Sequence, residues 1–180
     1  MSSYTAEAAK QMLVEGNQMY AGAQAAALDA SVEVLRESTR GQKPYAAIIT
    51  CSDSRVIPEA IFSAGIGDLF VIRVAGNVIG LNCLGSIEYA AEHLGTRLVV
   101  VLGHDHCGAV AAALHHDNGG HVKFITDEIL KAVGSEKDEA EACQLNVKYS
   151  CKVIENSLPN SGLTVIGAVY HLESGMVEFL

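Results

Sequence analysis

Leu98-Val-Val-Val-Leu-Gly-His-Asp-His-Cys-Gly-Ala-Val110 opens with five apolar residues, three of them β-branched, and then changes character within a few positions. An apolar run of that length and make-up reads as a strand buried on both faces, the environment of a parallel strand. The Ala-rich span 107–116 that follows has the length of a helix. Outward from this strand-turn-helix unit the same pattern repeats. Tyr45-Ala-Ala-Ile-Ile-Thr50, Leu69-Phe-Val-Ile-Arg-Val74 and Leu163-Thr-Val-Ile-Gly-Ala-Val169 carry the strand signature, and residues 84–94, 122–133 and 136–156 supply helix-length stretches. The alternation predicts an α/β fold: a mostly parallel central sheet flanked by helices and joined by right-handed crossovers. His171-Leu-Glu-Ser-Gly-Met-Val-Glu-Phe-Leu180 places a Gly-containing turn before a last apolar strand. That hairpin adds an antiparallel edge and brings the sheet to about five strands. At the other end Thr5 caps a helix running to Tyr20, and a second helix is predicted over 30–37. No repeat, low-complexity stretch or linker interrupts the chain, so residues 1–180 read as one domain, with 1–40 a helical arm expected to pack on a partner subunit.

Composition narrows the function classes. The 180 residues are 49% hydrophobic and 18% charged, an apolar surplus that suggests a subunit interface. No apolar run approaches the ~20 residues needed to cross a bilayer. The formal charge of −9 disfavours nucleic acid as a partner, since that binding depends on clustered Lys and Arg. Residues 1–20 have neither a signal-peptide nor a transit composition, which makes the cytoplasm the expected compartment. Five scattered cysteines, Cys51, Cys83, Cys107, Cys143 and Cys151, are an odd set and suit metal binding or free thiols better than a disulfide framework.

Cys51 directly follows the first strand and His104 follows the third, so both lie at carboxyl ends of strands, where open α/β sheets bind ligands. Cys107, three residues after His104, stands at the start of a helix whose dipole favours a thiolate. Two thiolates and an imidazole fill three of the four positions that zinc prefers and leave one for water, as in a catalytic site. His-x-x-Cys spacing alone is weak evidence and fits a buried Cys and a capping His better than a metal site. Cys51-Ser-Asp-Ser-Arg55 adds a carboxylate and a guanidinium two and four positions after the first candidate ligand.

The segments Cys51-Ser-Asp-Ser-Arg-Val56, Gly67-Asp-Leu-Phe-Val-Ile-Arg-Val-Ala-Gly-Asn77, Gly85-Ser-Ile-Glu-Tyr-Ala90 and Gly103-His-Asp-His-Cys-Gly-Ala-Val110 resemble, in order, the signature blocks of the β-class carbonic anhydrases. Leu13-Val-Glu-Gly-Asn17 and Ile166-Gly-Ala-Val-Tyr-His-Leu-Glu-Ser-Gly175 are similar to that family too. The resemblance implies an enzyme that interconverts CO2 and bicarbonate through attack by a zinc-bound hydroxide. It implies one zinc ion per subunit held by Cys51, His104 and Cys107, with Asp53 and Arg55 as a catalytic pair. Gln42, nine positions before Cys51, matches the glutamine with which the plant-like, open-site branch donates a hydrogen bond to substrate. Phe70 and Tyr89 match aromatics that line the CO2 pocket, and Gly108 a residue that leaves room there. In the family, the equivalents of Gln42, Phe70 and Tyr89 come from the neighbouring subunit, which implies a homodimer or a larger assembly. Two thiolates cancel the formal charge of the ion, so activity is expected to rise toward mildly alkaline pH.

Other readings accompany these. Asp53 is the obvious fourth ligand of a closed site, a form known in relatives that pair it with a tryptophan-containing bicarbonate pocket; this chain has no Trp and does have Gln42. Without the resemblance, Phe70 and Tyr89 are packing residues. His106 reads as an exposed turn residue, and His115, His116 and His121 as facing solvent or a helix C-terminus. Cys83, Cys143 and Cys151 read as small buried hydrophobes. Alternatives on the same scaffold are hydrolysis of carbonyl sulfide or carbon disulfide, and a non-catalytic zinc-binding protein. Residues 118–161 carry no functional expectation.

Overall fold

The apolar runs form the sheet expected of them in the computed structural model, which describes residues 4–180; residues 1–3, where the expected arm begins, lie outside the described residues. The strands are β1 (Ala46–Thr50), β2 (Leu69–Arg73), β3 (Leu98–His104), β4 (Thr164–Tyr170) and β5 (Val177–Phe179). Their order in the sheet is β2-β1-β3-β4-β5, parallel throughout except for β5, which runs antiparallel to β4. From β1 the chain goes to β2 on one side, then crosses to β3 on the other. The β1/β3 crevice is therefore a topological switch point, and the carboxyl ends of those two strands flank it.

The helices are α1 (Ala6–Ala21), α2 (Val32–Ser38), α3 (Pro58–Ile61), α4 (Leu81–Glu92), α5 (Gly108–Leu114), α6 (Lys123–Val133) and α7 (Glu139–Ser157). Alternating side chains of β1 and β3 feed cores on both faces of the sheet, as the two-residue period of a strand requires. Ala46, Ile48, Val100 and Leu102 meet Ala9 and Leu13 of α1 with Ile61 and Phe62 at α3. Ala47, Ile49, Val99 and Val101 meet Ile87 and Ala90 of α4 with Val147 and Ile154 of α7. Burying a side chain such as Leu13 contributes ~1.5–3 kcal/mol, so α1 is held by its apolar stripe more than by its propensity. A third cluster gathers Val110, Ala113, Ile129, Val133 and Ala142 around Cys51 and Cys107.

Thr5 caps α1 through Ala8 N–H at 3.2 Å, as read from the sequence. Other boundaries differ by a few residues. α2 starts after Ser31, whose hydroxyl accepts from Val34 N–H, and α7 starts after Asp138, whose carboxylate accepts from Glu141 N–H. α4 begins three residues earlier than expected, behind Gly80, and Cys107 is the N-cap of α5 rather than its first helical residue. α3 was not expected at all. At four residues, with Pro58 leading it, it is too short to show a helical period. None of the residues of α2 is buried, whereas α1 packs on its own sheet.

Candidate active site

Thr50 and Leu102 are register partners on β1 and β3, so the residues after them emerge side by side at the switch point. Cys51, His104 and Cys107 are all buried, and their ligand atoms lie within 4.8 Å of one another, with Cys51 Sγ 3.9 Å from Cys107 Sγ. His104 Nδ1 lies 2.7 Å from the carbonyl oxygen of Asp105. A carbonyl only accepts, so Nδ1 carries the proton and Nε2 the free lone pair. Nε2 is buried and has no hydrogen-bond partner among the described residues. Burying a polar nitrogen without a partner is costly, and a metal ion on the two sulfurs removes that cost. Sulfur, sulfur and imidazole nitrogen suit a borderline-soft divalent ion.

The local field prepares one thiolate. The Cys107 thiol, hydrogen-bonding to Cys51, draws the Cys51 pKa down to about 4 against the opposing effect of burial; His104 and the Gly76 N–H, 3.2 Å from Sγ, add to the lowering. The Cys107 thiol is pushed up, by the Cys51 sulfur first and by burial second. Without metal the pair therefore shares one proton between two sulfurs, and metal uptake must expel it. Burial favours neutral His104, but Cys51, the Asp105 carbonyl and Asp53 together outweigh it and the imidazole pKa is raised.

Asp53 stands in the turn after Cys51 and is clamped by Arg55. Arg55 Nε donates to Oδ1 at 2.9 Å and Nη2 to Oδ2 at 2.8 Å, while Arg55 N–H also donates to Oδ1 at 2.9 Å. The Arg55 guanidinium holds the Asp53 carboxyl well below the usual carboxylate range. Oδ2 lies 3.9 Å from His104 Nε2, so the ionised carboxylate borders the candidate metal triad without joining its mutually close donor set. Arg55 Nη2 also reaches the carbonyl of His106, at 3.2 Å, tying the two ligand-bearing turns together.

Of the remaining residues singled out, Gly108 opens α5, and a Cβ placed there meets nothing within 4 Å. Phe70 on edge strand β2 and Tyr89 on α4 form an aromatic pair with ring centroids 6.1 Å apart, and Tyr89 is 46% exposed. Gln42 lies exposed before β1, in a cleft with Arg40, Lys43 and Ile66. Within one chain, no hydrogen bond or ring contact joins these three to the triad among the described residues. His106 is exposed, at a positive φ of 50°.

Sequence reasoning missed several supporting residues. Arg73, at the end of β2, donates to the carbonyls of Cys51 and Asp53 at 3.3 and 2.7 Å and pins the turn that carries both. Gly76 presents its N–H to Cys51 Sγ from a left-handed conformation (φ 68°), and Asn146 Nδ2 of α7 donates to the Gly76 carbonyl at 2.8 Å. Cys143, also on α7, donates from Sγ to the His104 carbonyl at 3.1 Å. The span 118–161, without a functional expectation, thus backs two of the three ligands. A carbonyl-held glycine and a buried amide leave no spacing signature; only the Gly-Asn pair within residues 67–77 hinted at a special backbone there.

An α/β sheet with a Cys-His-Cys group able to hold a metal and a clamped carboxylate at its switch point fits a class of metal-dependent α/β enzyme. The sequence model of the carbonic anhydrase family matches residues 46–177. The chain is similar to carbonic anhydrase 2 of Mycobacterium tuberculosis, 37% identical over 185 residues that span 93% of this chain and 89% of the relative. It is 38% identical to a carbonic anhydrase of Mycolicibacterium smegmatis over 188 residues, 95% of this chain and 91% of the relative. The β-carbonic anhydrase CafA of Aspergillus fumigatus superposes with a TM-score of 0.72 at 30% identity, covering 82% of this chain and 80% of that one. One of two tetrameric β-carbonic anhydrases of Sordaria macrospora gives 0.72 at 27% identity over 95% and 96% of the two chains. The chain belongs to the β-carbonic anhydrase family, and as a carbonic anhydrase it is a lyase acting on CO2.

Proposed function

We propose that this enzyme hydrates CO2 reversibly to bicarbonate and a proton with one zinc ion held by Cys51, His104 and Cys107. The observation that carries the reading is the unpartnered, buried Nε2 of His104 beside two sulfurs 3.9 Å apart. When bound, zinc supplies an acidified water as nucleophile, less acidified than in a three-histidine site because two thiolates cancel the charge of the ion. Asp53, ionised throughout the neutral range, only accepts hydrogen bonds; it would accept one from the O–H of the nucleophile, the proton staying on that oxygen, and so turn an oxygen lone pair toward the substrate carbon. Arg55 fixes that carboxylate through a planar two-point contact that lysine cannot reproduce. Asp53 stays off the metal in this reading because Arg55 engages both of its oxygens. Non-catalytic metal binding explains neither Asp53 nor its clamp.

The active unit is a homo-oligomer, at least a dimer, of one domain over residues 1–180. Gln42, Phe70 and Tyr89 would serve the partner's site, the glutamine donating to a substrate oxygen that gains negative charge and the aromatics forming an apolar CO2 pocket, with Gly108 leaving it room. Exposed apolar residues support an interface: Val32 and Leu35 on α2 are 66% and 48% exposed, and Leu81 is 87% exposed. Of the helical arm over 1–40, it is α2 that would pack there, because α1 already buries its apolar stripe against its own sheet. No helix among the described residues is long and apolar enough to cross a membrane. Stopped-flow CO2 hydration by zinc-loaded protein, from about pH 6.5 to about pH 9, tests the proposal: turnover should climb toward the alkaline end. Stoichiometric zinc with no turnover at either end would refute it.

A further inference from the structure

Two stretches quoted from the sequence, residues 13–17 and 166–175, have no part in the site as described, yet the structure links them to it. Gly16 lies so close to α3 that a Cβ there would stand 1.9 Å from the Phe62 carbonyl oxygen, and the neighbouring Asn17 is buried. Asn17 Nδ2 donates to the carbonyls of Gly175 and Ile61 at 2.8 and 3.2 Å, and its Oδ1 accepts from Val177 N–H at 2.8 Å. α1 thereby fastens the β4–β5 hairpin. That hairpin in turn holds Asp105: Leu172 N–H donates to Oδ1 at 3.0 Å, and His171 Nδ1 lies 3.3 Å from Oδ2. Asp105 N–H donates to the Tyr170 carbonyl at 3.1 Å, continuing the β3–β4 ladder past its last strand residue. The Asp105 carbonyl then receives the Nδ1–H of His104.

We infer that Asp105 is a positioning residue: its carboxylate, gripped by Leu172 N–H and His171, fixes the peptide whose carbonyl sets the tautomer and ring plane of His104. The inference rests on the reading of His104 as a metal ligand. A ligating imidazole needs its second nitrogen held, and loss of such support typically costs 10–100-fold in metal affinity or activity. Here the support comes from a backbone carbonyl, which is only as fixed as the peptide that carries it. With both sides of that peptide tied to the hairpin, Nε2 is held toward the two sulfurs. His171 Nε2 lies 3.5 Å from Glu178 on β5, so both ring nitrogens of that residue face carboxylates and its ring is held against Asp105.

The test uses cobalt(II)-loaded protein, whose visible absorption reports ligand geometry, challenged with a chelator. Asp105→Ala should release metal ~10–100-fold faster than wild type and shift the cobalt spectrum. Asp105→Asn, which keeps an acceptor for Leu172 N–H, should release it within a few fold of wild type. Ile154→Ala makes a cavity where α7 packs beside Val165 at the start of β4, at the far end of that strand from the His171–Leu172 turn that holds Asp105, and lowers overall stability; it should leave release rate and spectrum unchanged. The inference is overturned if Asp105→Ala matches wild type in both readouts, if Ile154→Ala releases metal as fast as Asp105→Ala, or if Asp105→Asn behaves as Asp105→Ala does. Failure of wild-type protein to take up cobalt would instead sink the metal reading itself, and this inference with it.

Discussion

Replacing Gly76 by alanine probes the backbone that faces Cys51 Sγ. Gly76 has φ 68° and ψ 17°, a left-handed conformation that costs an L-residue ~1–2 kcal/mol. An alanine Cβ would also stand 2.8 Å from Ile129 Cδ1 and 3.1 Å from Ala109 Cβ. The isoleucine tip can rotate away; a Cβ on α5 cannot move without its helix. Such overpacking typically costs ~1–3 kcal/mol. The two effects sum to ~2–5 kcal/mol, a large share of the ~5–15 kcal/mol that holds an ordinary domain together. For a chain of this length that lowers Tm by ~4–20 °C. Relief of the clash would also move the N–H that lies 3.2 Å from Cys51 Sγ, so zinc should leave the variant faster than wild type. Circular dichroism melts and chelator-driven zinc release check both parts. A Gly76→Ala protein that melts within about 2 °C of wild type and holds zinc as tightly would refute the reasoning from backbone strain and close packing.

Other consequences follow from the charges and the exposed surface. Because the two close sulfurs share a proton in the absence of metal, zinc uptake near pH 7 should release at least about one proton per ion, measurable by calorimetry in buffers of different ionisation enthalpy; zero release would contradict the shared-proton pair. The Asp53 pKa is lowered in the folded state, so its contribution to stability is present above the ordinary carboxylate value and lost as pH falls through and below it. The stability gap between wild type and Asp53→Asn in urea titrations should therefore be open at about pH 7 and shrink by about pH 3; a gap independent of pH would show that the carboxylate's ionisation contributes nothing. Light scattering should find a dimer or larger particle, and a fully active monomer would rule out a site shared through Gln42, Phe70 and Tyr89.

The sheet was legible because parallel strands buried on both faces must be continuous apolar runs, and Ile48, Ile49 and Val99 to Leu102 are all at or near zero exposure. Cys51, His104 and Cys107 were legible because two strand ends and a short turn bring them together whatever the surrounding packing. Arg73, Asn146 and Cys143 were not, since each acts on a backbone carbonyl of a residue far away in sequence, and such contacts exist only once β2 has paired with β1 and α7 has docked. α3 escaped for a local reason, its four residues being fewer than two helical turns. For Gln42, Phe70 and Tyr89, family likeness supplied the roles; periodicity alone would have placed the two aromatics in the core, and Tyr89 is instead half exposed.

The central claim is that three residues hold zinc while Asp53, locked by Arg55, works on the bound nucleophile without touching the metal. It is tested most directly by stopped-flow CO2 hydration on Asp53→Ala protein of measured zinc content. The account predicts stoichiometric zinc with turnover reduced ~100-fold or more, the cost of a misdirected nucleophile. Loss of zinc from the variant would make Asp53 a ligand, and near-normal turnover with zinc retained would leave it no part in the chemistry.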